Sequence, residues 1–100
     1  MIRILSKVVA FEWDKGNIDK NLKKHNVSNQ EAEEVFFNKP IVFSEDKKHS
    51  TTEKRYMIWG KTNRNRLLTI FFTIRNNRIR VISTRDMHKK EREFYRAYEE

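Results

Sequence analysis

Leu67-Leu68-Thr69-Ile70-Phe71-Phe72-Thr73-Ile74-Arg75-Asn76-Asn77-Arg78-Ile79-Arg80-Val81-Ile82-Ser83-Thr84 is the stretch that decides the fold. Two runs rich in β-branched and aromatic residues flank Asn76-Asn77. Asparagine tolerates positive φ best after glycine, so the pair suits a two-residue hairpin turn. Such a turn sets Arg75 opposite Arg78, Thr73 opposite Arg80, Phe71 opposite Ile82 and Thr69 opposite Thr84. One face then shows Thr69, Phe71, Thr73, Arg75, Arg78, Arg80 and Thr84. The other shows Leu68, Ile70, Phe72 and Ile74 against Ile79, Val81 and Ser83. A slip of one residue would mix the two sets, so burial of the aliphatic face holds the pairing.

Working outward, a strand is expected near 54–61, and Ile41-Val42-Phe43 begins the strands after Pro40. The polar stretch 44–53 between them reads as a mobile loop. Val8-Val9-Ala10-Phe11 reads as a short strand. Asp14 is placed to cap a helix through about His25, with Ile18, Leu22 and His25 sharing a face. Asn26 suits the left-handed position that ends such a helix. Ser28-Asn29-Gln30-Glu31 has capping-box spacing, and the helix it opens runs to about Phe37 with Ala32, Val35 and Phe36 inward. A last helix from about Met87 to Tyr98 lays Met87, Glu91, Phe94 or Tyr95, and Tyr98 along one side. The expected architecture is a small α+β domain spanning residues 1–100. Its antiparallel sheet is packed on one face by two N-terminal helices and the C-terminal helix, and an arginine-threonine face is turned outward.

The charge is unevenly spread. Residues 1–53 carry nine Lys and Arg against nine Asp and Glu, whereas residues 54–100 carry 13 against five. The net charge of +8 therefore falls in the half that reads as strands, and a clustered basic face implies a polyanionic partner. The absence of cysteine excludes disulfides, thiolate metal sites and a cysteine nucleophile. The longest apolar stretch, Leu67 to Ile74, is far too short to span a membrane. No hydrophobic signal region opens the chain, so no membrane contact and a cytoplasmic location are expected. Two glycines and one proline leave no glycine-rich phosphate loop, which excludes a P-loop nucleotide hydrolase.

Arg75 and Arg80 lie diagonally across the hairpin with Thr73 between them, and Arg55 can join from the neighbouring strand. Guanidinium groups hold phosphate oxygens through two parallel hydrogen bonds. Phe71 on the same face offers a base a surface to stack on, and Thr73 and Arg78 extend the RNA-binding set. The competing reading is a solvated strand face that happens to be arginine-rich.

Metal-free RNA cleavage requires that the 2′-hydroxyl lose a proton, that the phosphorane be stabilised and that the leaving oxygen gain a proton. Arginine serves the second need. His25, His49 and His88 are the imidazoles available for proton transfer. His25 also suits a helix-end histidine facing the last carbonyls. His49 in the polar loop and His88 in a basic helix start read as ordinary surface residues. Trp13 and Trp59 read as core or interface side chains. No histidine or carboxylate cluster has metal-ligand spacing, so neither metal nor cofactor is expected.

Several of these segments together resemble a known family. Phe11-Glu12-Trp13-Asp14, Lys24-His25 with Val27, Glu31-Ala32 and Phe36 resemble the opening of the BrnT family of type II toxins. Phe72-Thr73, Arg75, then Arg80-Val81-Ile82-Ser83-Thr84-Arg85, Glu91 and Tyr95 are similar to its later signatures. The resemblance implies a RelE-like fold and a ribonuclease that halts translation. It also implies neutralisation by a BrnA-type antitoxin, a ribbon-helix-helix dimer that binds two copies of the toxin in a 2:2 heterotetramer. DNA is then met only through the antitoxin. Carried over by position, the functional residues are Lys24, His25, Arg55, Arg75, Arg80 and Arg85. Asn26 stands where the family has glycine, Thr84 where it has alanine, and Met87 where it has a small residue. Strict alternation aims Arg85 at the core face, in conflict with that role. The expected function is a metal-independent endoribonuclease toxin acting on RNA. Two alternatives stay open: a non-catalytic basic nucleic-acid-binding module and an inactive antitoxin-binding scaffold.

Overall fold

The hairpin forms around the two asparagines, which take φ of 51° and 61°. It joins β4 (Leu67–Arg75) to β5 (Arg78–Asp86) in the computed structural model, which describes residues 10–99. β3 (Tyr56–Lys61) pairs antiparallel with β4, and β2 (Val42–Glu45) pairs antiparallel with β3. β1 (Ala10–Phe11) lies parallel to β5 at the other edge, giving the order β1-β5-β4-β3-β2. Val8 and Val9 of the expected first strand lie outside the described residues. Alternation buries Tyr56, Ile58 and Gly60 of β3 with Leu68, Ile70, Phe72, Ile79 and Val81.

Against this apolar face lies α2 (Asn29–Val35). Its expected capping box is present: Glu31 N donates to Ser28 Oγ at 3.1 Å, and Ser28 N to Glu31 Oε1 at 2.9 Å. Ala32 and Val35 are buried as expected. Gly60 permits the close approach, since a Cβ there would stand 2.6 Å from Val35 Cγ1. Phe36 meets both Phe11 and Phe72 edge to face, sealing the helix onto β1 and β4.

α1 (Lys20–His25) differs from expectation at its start and in its buried face. Asp14 closes a turn instead of capping a helix, accepting from Gly16 N through Oδ1 at 2.8 Å and from Ile18 N through its carbonyl at 2.8 Å. Asn17 and Asn21 are buried, while Ile18 and Leu22 are 42% and 52% exposed. The reason is the edge of β5, which outruns the two-residue β1. Asn17 Nδ2 donates to Val81 O, Lys20 Nζ donates to Ile82 O, and Asn21 Oδ1 accepts from Thr84 N. These polar side chains satisfy backbone groups that a longer strand would have paired. Asn26 ends the helix at φ 54°, in the left-handed region as expected.

α3 (Lys89–Tyr98) crosses the opposite face of the sheet and so does not join α2 over the apolar one. Thr69 alternates with Leu68 and Ile70, and its hydroxyl donates to Glu91 Oε1 at 3.0 Å. Met87, just before this helix, and Tyr95 within it are buried, and Tyr95 OH donates to Pro40 O at 2.6 Å. Phe94 and Tyr98 point outward. A threonine-rich face accepts such a cover because Glu91 satisfies the Thr69 hydroxyl and the Arg85 guanidinium on it. The half of that face nearer the hairpin turn carries Arg75, Arg78 and Arg80.

Four asparagines, Asn26, Asn65, Asn76 and Asn77, take positive φ among the described residues, and no described glycine does. No described helix is long and apolar enough to cross a membrane.

Candidate active site

The register of the hairpin begins as expected, with Arg75 opposite Arg78 and Thr73 opposite Arg80. It then shifts. Phe72 faces Val81, but Phe71 faces Ser83 and Thr69 faces Arg85, leaving Ile82 as the extra residue of a β-bulge. The expected pairs Phe71 with Ile82 and Thr69 with Thr84 are therefore replaced. Thr84 turns into the interior, fully buried, and Ser83 and Arg85 turn outward. Lys20 and Asn21 bind Ile82 O and Thr84 N on either side of Ser83, bracketing the bulge. The conflict over Arg85 disappears, because one unpaired residue moves it to the arginine face.

On that face Phe71 is the centre. The guanidinium carbon of Arg55 lies 5.3 Å from its ring centroid, and that of Arg85 lies 5.8 Å away, within range of cation–π attraction. Four arginines of the face also meet carboxylates. Arg85 Nη1 and Nη2 donate to Glu91 at 2.7 and 3.1 Å. Arg80 grips Asp14 with Nη1 and Nη2 at 2.7 and 3.0 Å and reaches Glu12 at 3.2 Å. Arg75 holds Glu53 through Nε and Nη2 at 2.8 and 2.9 Å. Arg55 Nε lies 3.4 Å from Asp46 Oδ2. Strand positions near the turn hold no acid. The acids arrive from the segment after β1, the loop before β3, and α3.

These contacts set the local electrostatics. The Arg80 hydrogen bonds, helped by the Gly16 amide, hold Asp14 below the usual carboxylate range, and Arg75 does the same for Glu53. Burial alone would raise Glu91. The Arg85 fork, the His88 amide at 2.7 Å and Thr69 outweigh it and bring the group from 4.5 to about 2. A carboxylate whose pKa is depressed on folding stabilises the fold above its unfolded value. That stabilisation is lost as the pH falls through its folded value. For Glu91 the window runs from 4.5 down to about 2, and the full shift is worth about 3 kcal/mol. Melting temperature should therefore fall more steeply across this window in the parent than in Glu91→Gln. Equal slopes in thermal melts would show that Glu91 is not so held.

The structure thus brings Arg55, Phe71 and Arg85 together, with Arg80 and Arg75 further along toward the turn. Arg78 is exposed at the turn, opposite Arg75. Thr73 is not a surface contact: it is 2% exposed, and its hydroxyl donates to Lys54 O at 2.7 Å. It anchors the segment that carries Glu53 and Arg55. Lys24 is exposed, and its side chain makes no hydrogen bond or ion pair among the described residues. His25 is half-buried and offers its carbonyl to Arg66 at 3.4 Å. Neither touches the Phe71 cluster. Trp13 is a core side chain as expected, its indole N–H donating to Glu33 at 2.7 Å. No group of three or more His, Cys, Asp or Glu suited to a metal ion occurs among the described residues.

Sequence reasoning missed Arg66 here and set His49 aside as an ordinary surface residue. Arg66 binds Asp86, Glu31 and the carbonyls of His25 and Asn26, joining α1, α2 and β5. His49 pairs with Asp46, the carboxylate that also meets Arg55. The three-residue spacing of Asp46 and His49 was the available signal for the second, and no local pattern marks the first.

Five strands with an aliphatic face under α2 and a guanidinium cluster on the other define a small α+β protein with a basic, aromatic-centred site. Residues 13–91 match the model of a family described as "Ribonuclease toxin, BrnT, of type II toxin-antitoxin system". The chain belongs to this family of ribonuclease toxins, whose members act on RNA and have an antitoxin as partner. No curated protein matches the chain.

Proposed function

We propose that this chain, acting as one domain over residues 1–100, is a metal-independent endoribonuclease toxin that holds and cuts RNA on the arginine face of its sheet. The observation that carries this reading is Phe71 set between Arg55 and Arg85, with Arg80 and Arg75 on the same face. A guanidinium fork that grips a carboxylate can grip a phosphate with the same geometry, so each pair is a ready exchange site. Arg55, Arg75 and Arg80 hold the scissile phosphate and stabilise the charge that builds on it, and Arg85, fixed by Glu91, joins them. Fixed cations in a partly desolvated site supply that stabilisation without a metal. Phe71 stacks a base and Arg78 meets the RNA backbone beyond the turn. Lys24 and His25, outside the cluster, are given no chemical step.

The partner is a BrnA-type ribbon-helix-helix antitoxin in a 2:2 complex, with DNA reached only through that antitoxin, and the toxin acts in the cytoplasm, where its cleavage of RNA inhibits translation. The test is RNA cleavage by the purified chain in excess EDTA. Undiminished cleavage is expected. Activity that disappears with EDTA and returns with a divalent ion would overturn metal independence. RNA binding without cleavage would favour the non-catalytic module. Antitoxin binding alone would favour the inactive scaffold.

A further inference from the structure

The arginine cluster stabilises charge but removes no proton, and neither Lys24 nor His25 reaches it. A different imidazole does stand beside it. His49 closes a 3-10 turn (Lys47–His49) in the segment between β2 and β3. Its Nδ1 lies 3.1 and 3.0 Å from the two oxygens of Asp46. Asp46 Oδ2 is at the same time 3.4 Å from Arg55 Nε, and Arg55 lies over the Phe71 ring. One carboxylate oxygen thus bonds an imidazole and stands at ion-pair distance from a guanidinium of the candidate site.

The turn is itself well tied. Asp46 N donates to Arg55 O at 2.7 Å, Ser50 Oγ donates to Asp46 O at 2.7 Å, and Arg55 N donates to Ser50 Oγ at 2.9 Å. The Asp46 side chain is 15% exposed and that of His49 is 54% exposed, so the carboxylate is sheltered and the ring is open to a ligand. An ionised carboxylate only accepts hydrogen bonds, so Nδ1 carries the proton facing it. In the neutral ring this leaves Nε2 as a bare acceptor directed away from Asp46. A carboxylate that fixes the tautomer of an imidazole is the arrangement that makes histidine an effective base.

Resting on the reading of the arginine face as an RNA-cleaving site, we infer that His49, oriented by Asp46, is the general base that takes the proton from the 2′-hydroxyl of RNA. The 2′ oxygen forms its bond to phosphorus as the bond from phosphorus to the 5′ oxygen breaks. The proton of the 2′-hydroxyl passes to His49 Nε2. The departing 5′ oxygen takes a proton from water, and the imidazolium returns its proton to the hydroxide so formed. The products are a 2′,3′-cyclic phosphate and a 5′-hydroxyl, with no other reactant. Asp46 is a positioning residue in this scheme, and Arg55 stays beside the phosphate through the same carboxylate.

The experiment is cleavage of a fluorophore-labelled single-stranded RNA by the parent chain and by His49→Ala, Asp46→Asn and Arg80→Ala. For His49→Ala the expected result is a fall in kcat of about 100-fold or more, with RNA affinity nearly unchanged. Added imidazole should restore part of that rate in His49→Ala and none in Arg80→Ala. Asp46→Asn should lower kcat less than His49→Ala. The parent's products should carry a 2′,3′-cyclic phosphate, and RNA with 2′-deoxy sugars should stay intact. Parent-like kcat in His49→Ala, while Arg80→Ala is inactive, would overturn the role of His49 and leave the arginine face standing. Parent-like rates in both variants would overturn the arginine-face reading together with this one. Because His49 is exposed, its loss should move the melting temperature little, and a fall in rate without imidazole rescue in a folded variant counts against the proposal.

Discussion

Arg80→Ala is expected to slow RNA cleavage by about 100- to 1000-fold, the usual cost of removing one preorganised donor from a developing negative charge. Arg80 is the most enclosed guanidinium of the face: its side chain is 17% exposed and is held by both Asp14 oxygens and by Glu12. Such a fork is oriented before RNA arrives, which is what gives it leverage on the transition state. Removing it should leave the fold intact, because Asp14 and Glu12 lie near the surface and can be hydrated again. Arg80→Lys keeps the charge but loses the planar fork, so its rate should fall between parent and alanine variant. Cleavage rate, melting temperature and growth arrest in cells are the measurements. A chain that only binds RNA would behave differently. Each lost arginine would then weaken binding gradually and reduce its dependence on salt, with no abrupt loss of any activity.

The second large effect is on stability. Arg66→Ala should cost about 2–3 kcal/mol, because charge-assisted hydrogen bonds to three segments are lost together. Arg66 donates to both Asp86 oxygens at 2.8 and 3.1 Å, to Glu31 at 3.1 Å and to Asn26 O at 2.8 Å. These contacts fasten the end of α1, the capping box of α2 and the end of β5. Asp86 is held below the ordinary carboxylate range by the Arg66 hydrogen bonds. For a chain of this size the loss corresponds to a melting temperature lower by about 10–20 °C. None of these contacts involves an arginine of the sheet face, so cleavage at low temperature should survive. A melting temperature equal to the parent's would mean that water replaces the fork without loss.

The alternation of Leu68, Ile70 and Phe72 with Thr69, Phe71 and Thr73 made the sheet readable, and Asn76-Asn77 made its turn readable. The α2 capping box and the left-handed Asn26 were equally legible, because each rests on interactions within a few residues. The bulge at Ile82 was not. It is bracketed by Lys20 and Asn21, some sixty residues earlier in the chain, and no glycine marks it. The buried face of α1 was misread for a related reason: a polar stripe is normally solvent-facing unless a strand edge needs its amides. At the site, Arg80 and Arg75 could be placed from register alone. The carboxylates that meet them, and the link from His49 through Asp46 to Arg55, depend on where a turn and two distant segments come to rest.

The four left-handed asparagines bear on the unfolded chain as much as on the folded one. Glycine would sit at φ between 51° and 66° without steric cost, whereas asparagine retains a Cβ penalty there. In the denatured ensemble the balance reverses, since asparagine samples fewer backbone states than glycine and loses less freedom when a corner closes. With only two glycines in 100 residues, this chain takes little of its unfolded freedom from glycine. Glycine substituted at any of the four would relieve the native geometry while widening the ensemble the chain must leave.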